Sequence, residues 1–365
     1  MKRRAICAAL ILSMVLSGCS WINGTYVSVT PHHEQEEDSH SDSLSAVNYA
    51  ELLLVLTELV ESGTESAVVN VSGYDKDRVA EGMERAVGHI SNVLPIGAYA
   101  IDKLEYEIGT NTGLPAISVN ISYRHGRAEL RRIRQAENMS IARGIVLEAI
   151  ANCSDSVVIY VEQYEETDLV QVVEDYAAAN PSVVMEIPHL AIGIYPESGV
   201  KRVLELKFTY QTSRESLRSM QTQVKRVFDS AALYINQNGD QEQKFSQLFT
   251  FLTERFPYKY ETSITPSYSL LCHGVGDSRI FAEVYGAMCR RAGLDCRVVS
   301  GTRSGEAWYW NLICVDGAYY HVDLLESRNA GELVKLTDEM MTGYVWDYSA
   351  YPEAVGLVQT TEATE

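Results

Sequence analysis

Ser278 stands at the head of a run in which Ile280, Phe281, Val284, Tyr285, Met288, Cys289 and Ala292 recur at three- and four-residue steps. That spacing is one buried face of an amphipathic helix ended by Gly293, so the hydroxyl is predicted at a helix N-terminus. A thiol in that place is activated by the helix dipole and a neighbouring imidazole. A serine hydroxyl gains little from the same field and needs a base to take its proton. Two imidazoles are candidates for that base. His273 lies five residues before Ser278, and His321 lies two residues before Asp323 on one predicted strand, so that His321 and Asp323 point to one face. Cys272, six residues upstream of Ser278, is a candidate thiol nucleophile. Each residue also has a plainer role. Asp277 or Ser278 suits the helix cap, where a side-chain oxygen satisfies amides that otherwise lack partners, and for Ser278 the cap is preferred. His273 fits a polar turn, and Cys272 fits a small residue in a loop or at a core edge.

The elements that must position these groups follow directly. Strands are predicted at about residues 296–301, 308–315 and 318–324, the last two joined by Asp316 and Gly317, a strong hairpin-turn pair. The result is a helix packed on an antiparallel sheet. Trp308, Tyr309, Trp310, Tyr319 and Tyr320 lie on the paired strands, and Tyr258 and Tyr260 on the segment entering them. Alternation sends about half of these into the core. The rest can stack on a ligand.

These motifs resemble the transglutaminase-like superfamily. In that family the nucleophile segment reads approximately GxGVC, and here stand Gly274, Val275, Gly276, Asp277 and Ser278. The family's RLGIxCxVVSG is matched by Arg291 to Gly301, its HAWN by Trp308, Tyr309, Trp310 and Asn311, and its YYHVD by Tyr319 to Asp323. Further on, Asp338, Trp346, Asp347, Tyr351 and Pro352 resemble the tail of a bacterial lipoprotein branch, while Leu324, Leu325 and Glu326 replace the aromatic usual after the third motif. The resemblance places Ser278 at the catalytic Cys, Trp308 at the catalytic His and Asp323 at the Asp. An indole offers one N–H donor and no acceptor, so Trp308 cannot serve as base. Losing one member of such a triad leaves only about 10³–10⁴-fold catalysis over water. The expectation is therefore a domain without catalytic residues that retains a ligand grip through Trp308, Trp310, Tyr258, Tyr260, His321 and Asp323. The ligand expected is a peptide, protein or cell-wall component. The alternative is an active hydrolase or acyltransferase using Ser278 or Cys272 with a relocated His.

The chain's first residues give an address. Lys2, Arg3 and Arg4 precede an apolar run from Ala5 to Val15, and LSGC closes at Cys19. This resembles the bacterial lipoprotein signal, predicting removal of residues 1–18 and a diacylglyceryl group on Cys19. Two acyl chains anchor stably, each buried methylene contributing about 0.8 kcal/mol. Cleavage removes three basic residues and shifts the net charge from −19 to about −22. Such a surface repels nucleic acid and leaves the acyl group as the membrane attraction. Residues 19–44 read as a charged disordered tether. His32, His33 and His40 within it lack defined metal-ligand spacing, so neither a metal nor a cofactor is expected. The five cysteines besides Cys7 and the acylated Cys19, namely Cys153, Cys272, Cys289, Cys296 and Cys314, form no CxxC pair and suggest no disulfide framework.

The fold class expected is α+β. A duplicated β-α-β-β-α module over residues 45–237, divided near 150, precedes a papain- or transglutaminase-like domain at 238–358 and a tail at 359–365. The repeats are AVVNVSGY at 67–74 and SVVIYVEQY at 156–164, each followed by a helix, a hairpin and a second helix, at Glu129–Ile150 and at about Ser213–Ile235. Arg127, Arg131, Arg132 and Arg134 would form a basic cluster on the first of these helices, in most cases a solvated face, otherwise a site for an anionic wall polymer.

Overall fold

The computed structural model describes residues 44–255 and 259–356. Cys19, the tether histidines and Tyr258 lie outside the described residues. The fold is mixed α+β.

Two α/β layers come first. Asn48 caps the Tyr49–Ser62 helix, which with the Val79–Asn92 helix covers one face of a three-stranded sheet. In that sheet Leu114–Tyr123 is central, between Ser66–Asn70 and Ile101–Asn111. Val69, Ile117, Val119 and Ile121 bury beneath Leu52, Leu56, Met83 and Ile90. The second layer sets Arg202–Thr209 between Ser156–Gln163 and His189–Tyr195, all antiparallel, with Arg134–Asn138 added in parallel beside Ser156–Gln163. The Met139–Ala151 and Leu169–Ala179 helices pack on it.

The strand at 134–138 corrects the expected helix over Glu129–Ile150. Only Arg127–Leu130 and Met139–Ala151 are helical, and Asn138 caps the latter by accepting the Ile141 N–H at 3.1 Å. Ala136 is buried in the parallel pairing, which breaks the helical run. The arginines therefore do not share one helix face. Arg127 is helical, Arg131 and Arg132 lie in the turn, and Arg134 starts the strand, paired with Glu148 at 2.6 Å.

The long helix Arg214–Tyr234 is capped by Ser213. Its buried face, Leu217, Val224, Phe228 and Ala231, joins one core with Phe245 and Leu252 of the Gln241–Arg255 helix and with Phe281, Tyr285 and Met288 of Ser278–Arg291. That core rests on a four-stranded antiparallel sheet in the order Ala318–Val322, Glu306–Val315, Cys296–Arg303, Tyr344–Trp346. Asp316 and Gly317, with φ of 50° and 84°, make the hairpin turn expected of them. Asn311 Nδ2 donates to the Ala282 carbonyl at 2.9 Å and fastens helix to sheet. The opposite face carries a second cluster built on Val299, Trp310, Leu312 and Trp346.

Candidate functional site

Ser278 opens the Ser278–Arg291 helix and is buried at 4% exposure. The cap is Asp277, whose extended backbone (φ −105°, ψ −179°) lets its carboxylate accept the Ile280 N–H at 3.0 Å. This corrects the preferred cap role for Ser278, whose backbone is already helical. Its Oγ instead accepts the Tyr309 N–H at 3.3 Å, tying the helix start to the strand one residue past Trp308.

Asp323 was expected at the end of a strand. The strand stops at Val322, and Asp323 caps the Leu324–Ala330 helix, Oδ1 accepting the amides of Leu325 at 2.9 Å and Glu326 at 3.3 Å. Its Oδ2 accepts from Trp308 Nε1 at 2.7 Å and from the Tyr344 hydroxyl at 2.7 Å. Arg303 Nη1 stands 3.6 Å from the same oxygen, and its Nη2 donates to Glu326. Burial, followed by this hydrogen bond, holds the Tyr344 phenol far above its ordinary pKa, so it remains a donor. A carboxylate at 2% exposure is thus ringed by donors.

Trp308 has two ring neighbours, a cation and an exposed aromatic. The Arg303 guanidinium lies 5.3 Å from its ring centre and 5.4 Å from that of Tyr344, within cation–π range. Tyr260, 57% exposed, faces Trp308 nearly parallel at 9° with centroids 6.3 Å apart. A cavity of about 240 Å³ opens here, lined by Tyr260, Arg303, Trp308, Leu325, Glu326 and Asn329 among others. Beside Asp277 lies a second cavity of about 210 Å³, walled by Pro181, Met185 and Ile187 of the second layer and by Arg279 and Glu283. Burial raises the Glu283 pKa against the opposing bond from Arg279 Nε at 2.7 Å.

His321 belongs elsewhere. It has no exposed surface, and its ring lies in the cluster of Trp310 and Trp346, edge-on to Trp346 at 4.8 Å. Trp310 Nε1 donates to Nδ1 at 2.9 Å, which fixes the proton on Nε2, 2.8 Å from Asp338 Oδ1. Both nitrogens are therefore engaged away from Ser278, and His321 and Trp310 form core rather than ligand surface. This corrects their expected place in the grip. His273 is exposed at the end of the Pro266–His273 helix, edge-on to Tyr268 at 5.2 Å. Burial pushes the Cys272 thiol up, away from thiolate.

The structure therefore gathers Ser278, Trp308, Asp323 and Tyr260, and sets His321 and Trp310 apart. Arg303, Tyr344 and Glu283 were not singled out from the sequence. A signal for Arg303 existed: it lies two residues past Gly301 on the strand that pairs with Trp308's own. The tail residues brace the sheet instead: Asp338 holds His321, and Ser300 N–H donates to the Tyr351 hydroxyl at 3.4 Å.

Residues 229–324 match the model of the transglutaminase-like superfamily. This chain carries a transglutaminase-like domain. The match begins inside the Arg214–Tyr234 helix and takes in Ser278, Trp308 and Asp323. Among solved structures, the domain's chain is similar to a crystal structure of a TGase at 11% identity and TM-score 0.25, covering 60% of this chain and 63% of that one. It is also similar to a candidate cysteine protease from Cytophaga hutchinsonii, at 12% identity and TM-score 0.24 over 41% of this chain and 65% of that one. A candidate protease from Parabacteroides distasonis gives 10% identity and TM-score 0.23, over 70% and 39%. The chain spans under two thirds of the length of each. No curated protein matches it.

Proposed function

We propose that this is a lipid-anchored protein of the bacterial cell envelope whose transglutaminase-like domain binds a peptide, protein or cell-wall ligand without transforming it. The observation that carries the reading is the 2.7 Å bond from Trp308 Nε1 to Asp323. In a nucleophile–base–carboxylate arrangement the carboxylate orients an imidazole through this bond, and the imidazole's second nitrogen takes the proton. An indole accepts the orientation and has no second nitrogen. Ser278 Oγ meets a backbone amide, a donor, rather than a base. The alternative of a relocated imidazole has little support, because His321 is engaged by Trp310 and Asp338. What the site offers instead is the Trp308 and Tyr260 faces above a polar rim, a surface suited to stacking with hydrogen bonding at its edges.

The test uses the purified chain with a protein glutamine donor and a fluorescent amine, and separately with soluble cell-wall muropeptides. No amide turnover and no covalent adduct are expected, whereas muropeptide or peptide affinity falls about tenfold, roughly 1.4 kcal/mol, in Trp308→Ala. Turnover abolished by Ser278→Ala or Cys272→Ala would overturn the reading. The anchor is tested by metabolic labelling with an alkyne fatty acid, expected to disappear in Cys19→Ala.

A further inference from the structure

The Ile101–Asn111 strand, 11 residues long, is the outer strand of the first sheet. Among the described residues no strand pairs with its free side, and no backbone hydrogen bond leads from Lys103 to Thr110 to any element but Leu114–Tyr123. Exposed edges are usually guarded by charged side chains, by proline, by an inward-pointing charge or by a bulge; this one carries Lys103, Glu105 and Glu107 outward, with no proline and no inward-pointing charge between Leu104 and Ile108. Here the one register shift lies at the start, between Ile101 and Lys103. From there on the inward positions are Leu104, Tyr106 and Ile108, set opposite Ile121, Val119 and Ile117. Those three partners are core, yet Tyr106 and Ile108 remain 36% and 42% exposed. Leu104 packs on the core, and Tyr106 and Ile108 carry the sheet's apolar face out into solvent beside unpaired backbone.

Charge selects what fits. The outward positions are Lys103, Glu105 and Glu107, facing Ser122, Asn120 and Ser118. Lys103 meets Glu105 at 2.5 Å, while Glu107 has no cation beside it among the described residues. A second copy of the chain would set two glutamates against only one lysine per strand on that face, in a molecule with net charge −19, so a cationic segment suits it better. We propose that this edge takes up an extended segment of a partner protein, adding a fourth strand with apolar residues facing inward over Tyr106 and Ile108 and Lys or Arg facing outward beside Glu105 and Glu107. Backbone pairing would supply affinity, and the alternating side chains specificity. The inference is independent of the Trp308 site.

The probe is a fluorescent peptide of repeated Lys-Val pairs, titrated into the full-length chain, with amide hydrogen exchange read at residues 103–109. The expected result is binding with new protection confined to that strand, weakened about tenfold or more by Ile108→Lys, which puts a charge in the inward row, and by Glu105→Lys/Glu107→Lys. The charge-reversed double variant should instead take a Glu-Val peptide. Any of several results overturns the proposal. One is absence of binding, or equal binding of Glu-Val by the native chain. Another is an equal loss in Glu58→Lys/Glu84→Lys, which reverses exposed charges on the helices. Protection, before peptide is added, of those amides of 103–109 that point away from Leu114–Tyr123 would show the edge already filled from within. Self-association abolished by Ile108→Lys would assign it to a second copy.

Discussion

Asp323 accepts from an indole, a phenol and two backbone amides while almost wholly removed from water. A buried carboxylate so surrounded turns costly when a donor is put in its place, because an amide would set N–H against N–H. Asp323→Asn is expected to destabilise the domain by about 2–4 kcal/mol, and Trp308→Phe, which removes one donor and keeps the ring, by less than half of that. Urea unfolding followed by tryptophan fluorescence orders the two variants. His321 supplies the pH dependence. Burial lowers its pKa, against the pull of Asp338, so the native ring stays neutral below the ordinary value of about 6.5. The unfolded ring takes its proton first as pH falls through that value. The contribution is therefore fully present above about pH 6.5 and is lost as pH drops toward the lowered native pKa. Comparing the unfolding midpoint of the native chain and His321→Gln across this window should show a steeper acid loss in the native chain. Parallel curves would refute it.

At the level of elements, Gly301 decides whether the last strand can dock. A Cβ there would sit 2.3 Å from the Val345 carbonyl and 2.8 Å from the Trp310 ring. Gly301→Ala should cost about 2–3 kcal/mol and release the Tyr344–Trp346 strand, seen as faster amide exchange there than in Glu306–Val315. Much of this element map was legible from local pattern. The Ser278 helix was marked by its apolar period, the hairpin by Asp316 and Gly317, and the frame of Trp308 by Trp310 and Asn311. What was not legible depends on partners distant in sequence. The helix expected over 129–150 is interrupted because Ala136 pairs with a strand that starts at Ser156, and nothing local announces a parallel neighbour. The crowding of Arg303 and Tyr344 around Asp323 likewise arises from their own cross-strand pairing. His321 and Asp323 share a motif but not an environment, since the chain turns into a helix between them.

Across the whole molecule, the first and second layers differ from the last domain in how far their limits could be read. Alternating strands and capped helices outlined the layers, whereas the helix Arg214–Tyr234, reached as part of the second layer, gives its buried face to the transglutaminase-like core. The second layer is bound to its neighbour further: Gln221 Nε2 donates to the carbonyls of Ala151 at 2.9 Å and Val183 at 2.7 Å, and Arg290 reaches the Ala179 carbonyl at 3.1 Å.

The shared helix also governs how the chain can be cut for laboratory use. A fragment starting at residue 238 would leave Phe245, Leu252 and Tyr285 without Leu217, Val224 and Phe228 against them, and it should precipitate on expression. One starting before Ser213 keeps that wall, and should stay soluble and melt cooperatively. Limited proteolysis of the intact protein should accordingly yield no stable C-terminal piece that begins inside or just after this helix.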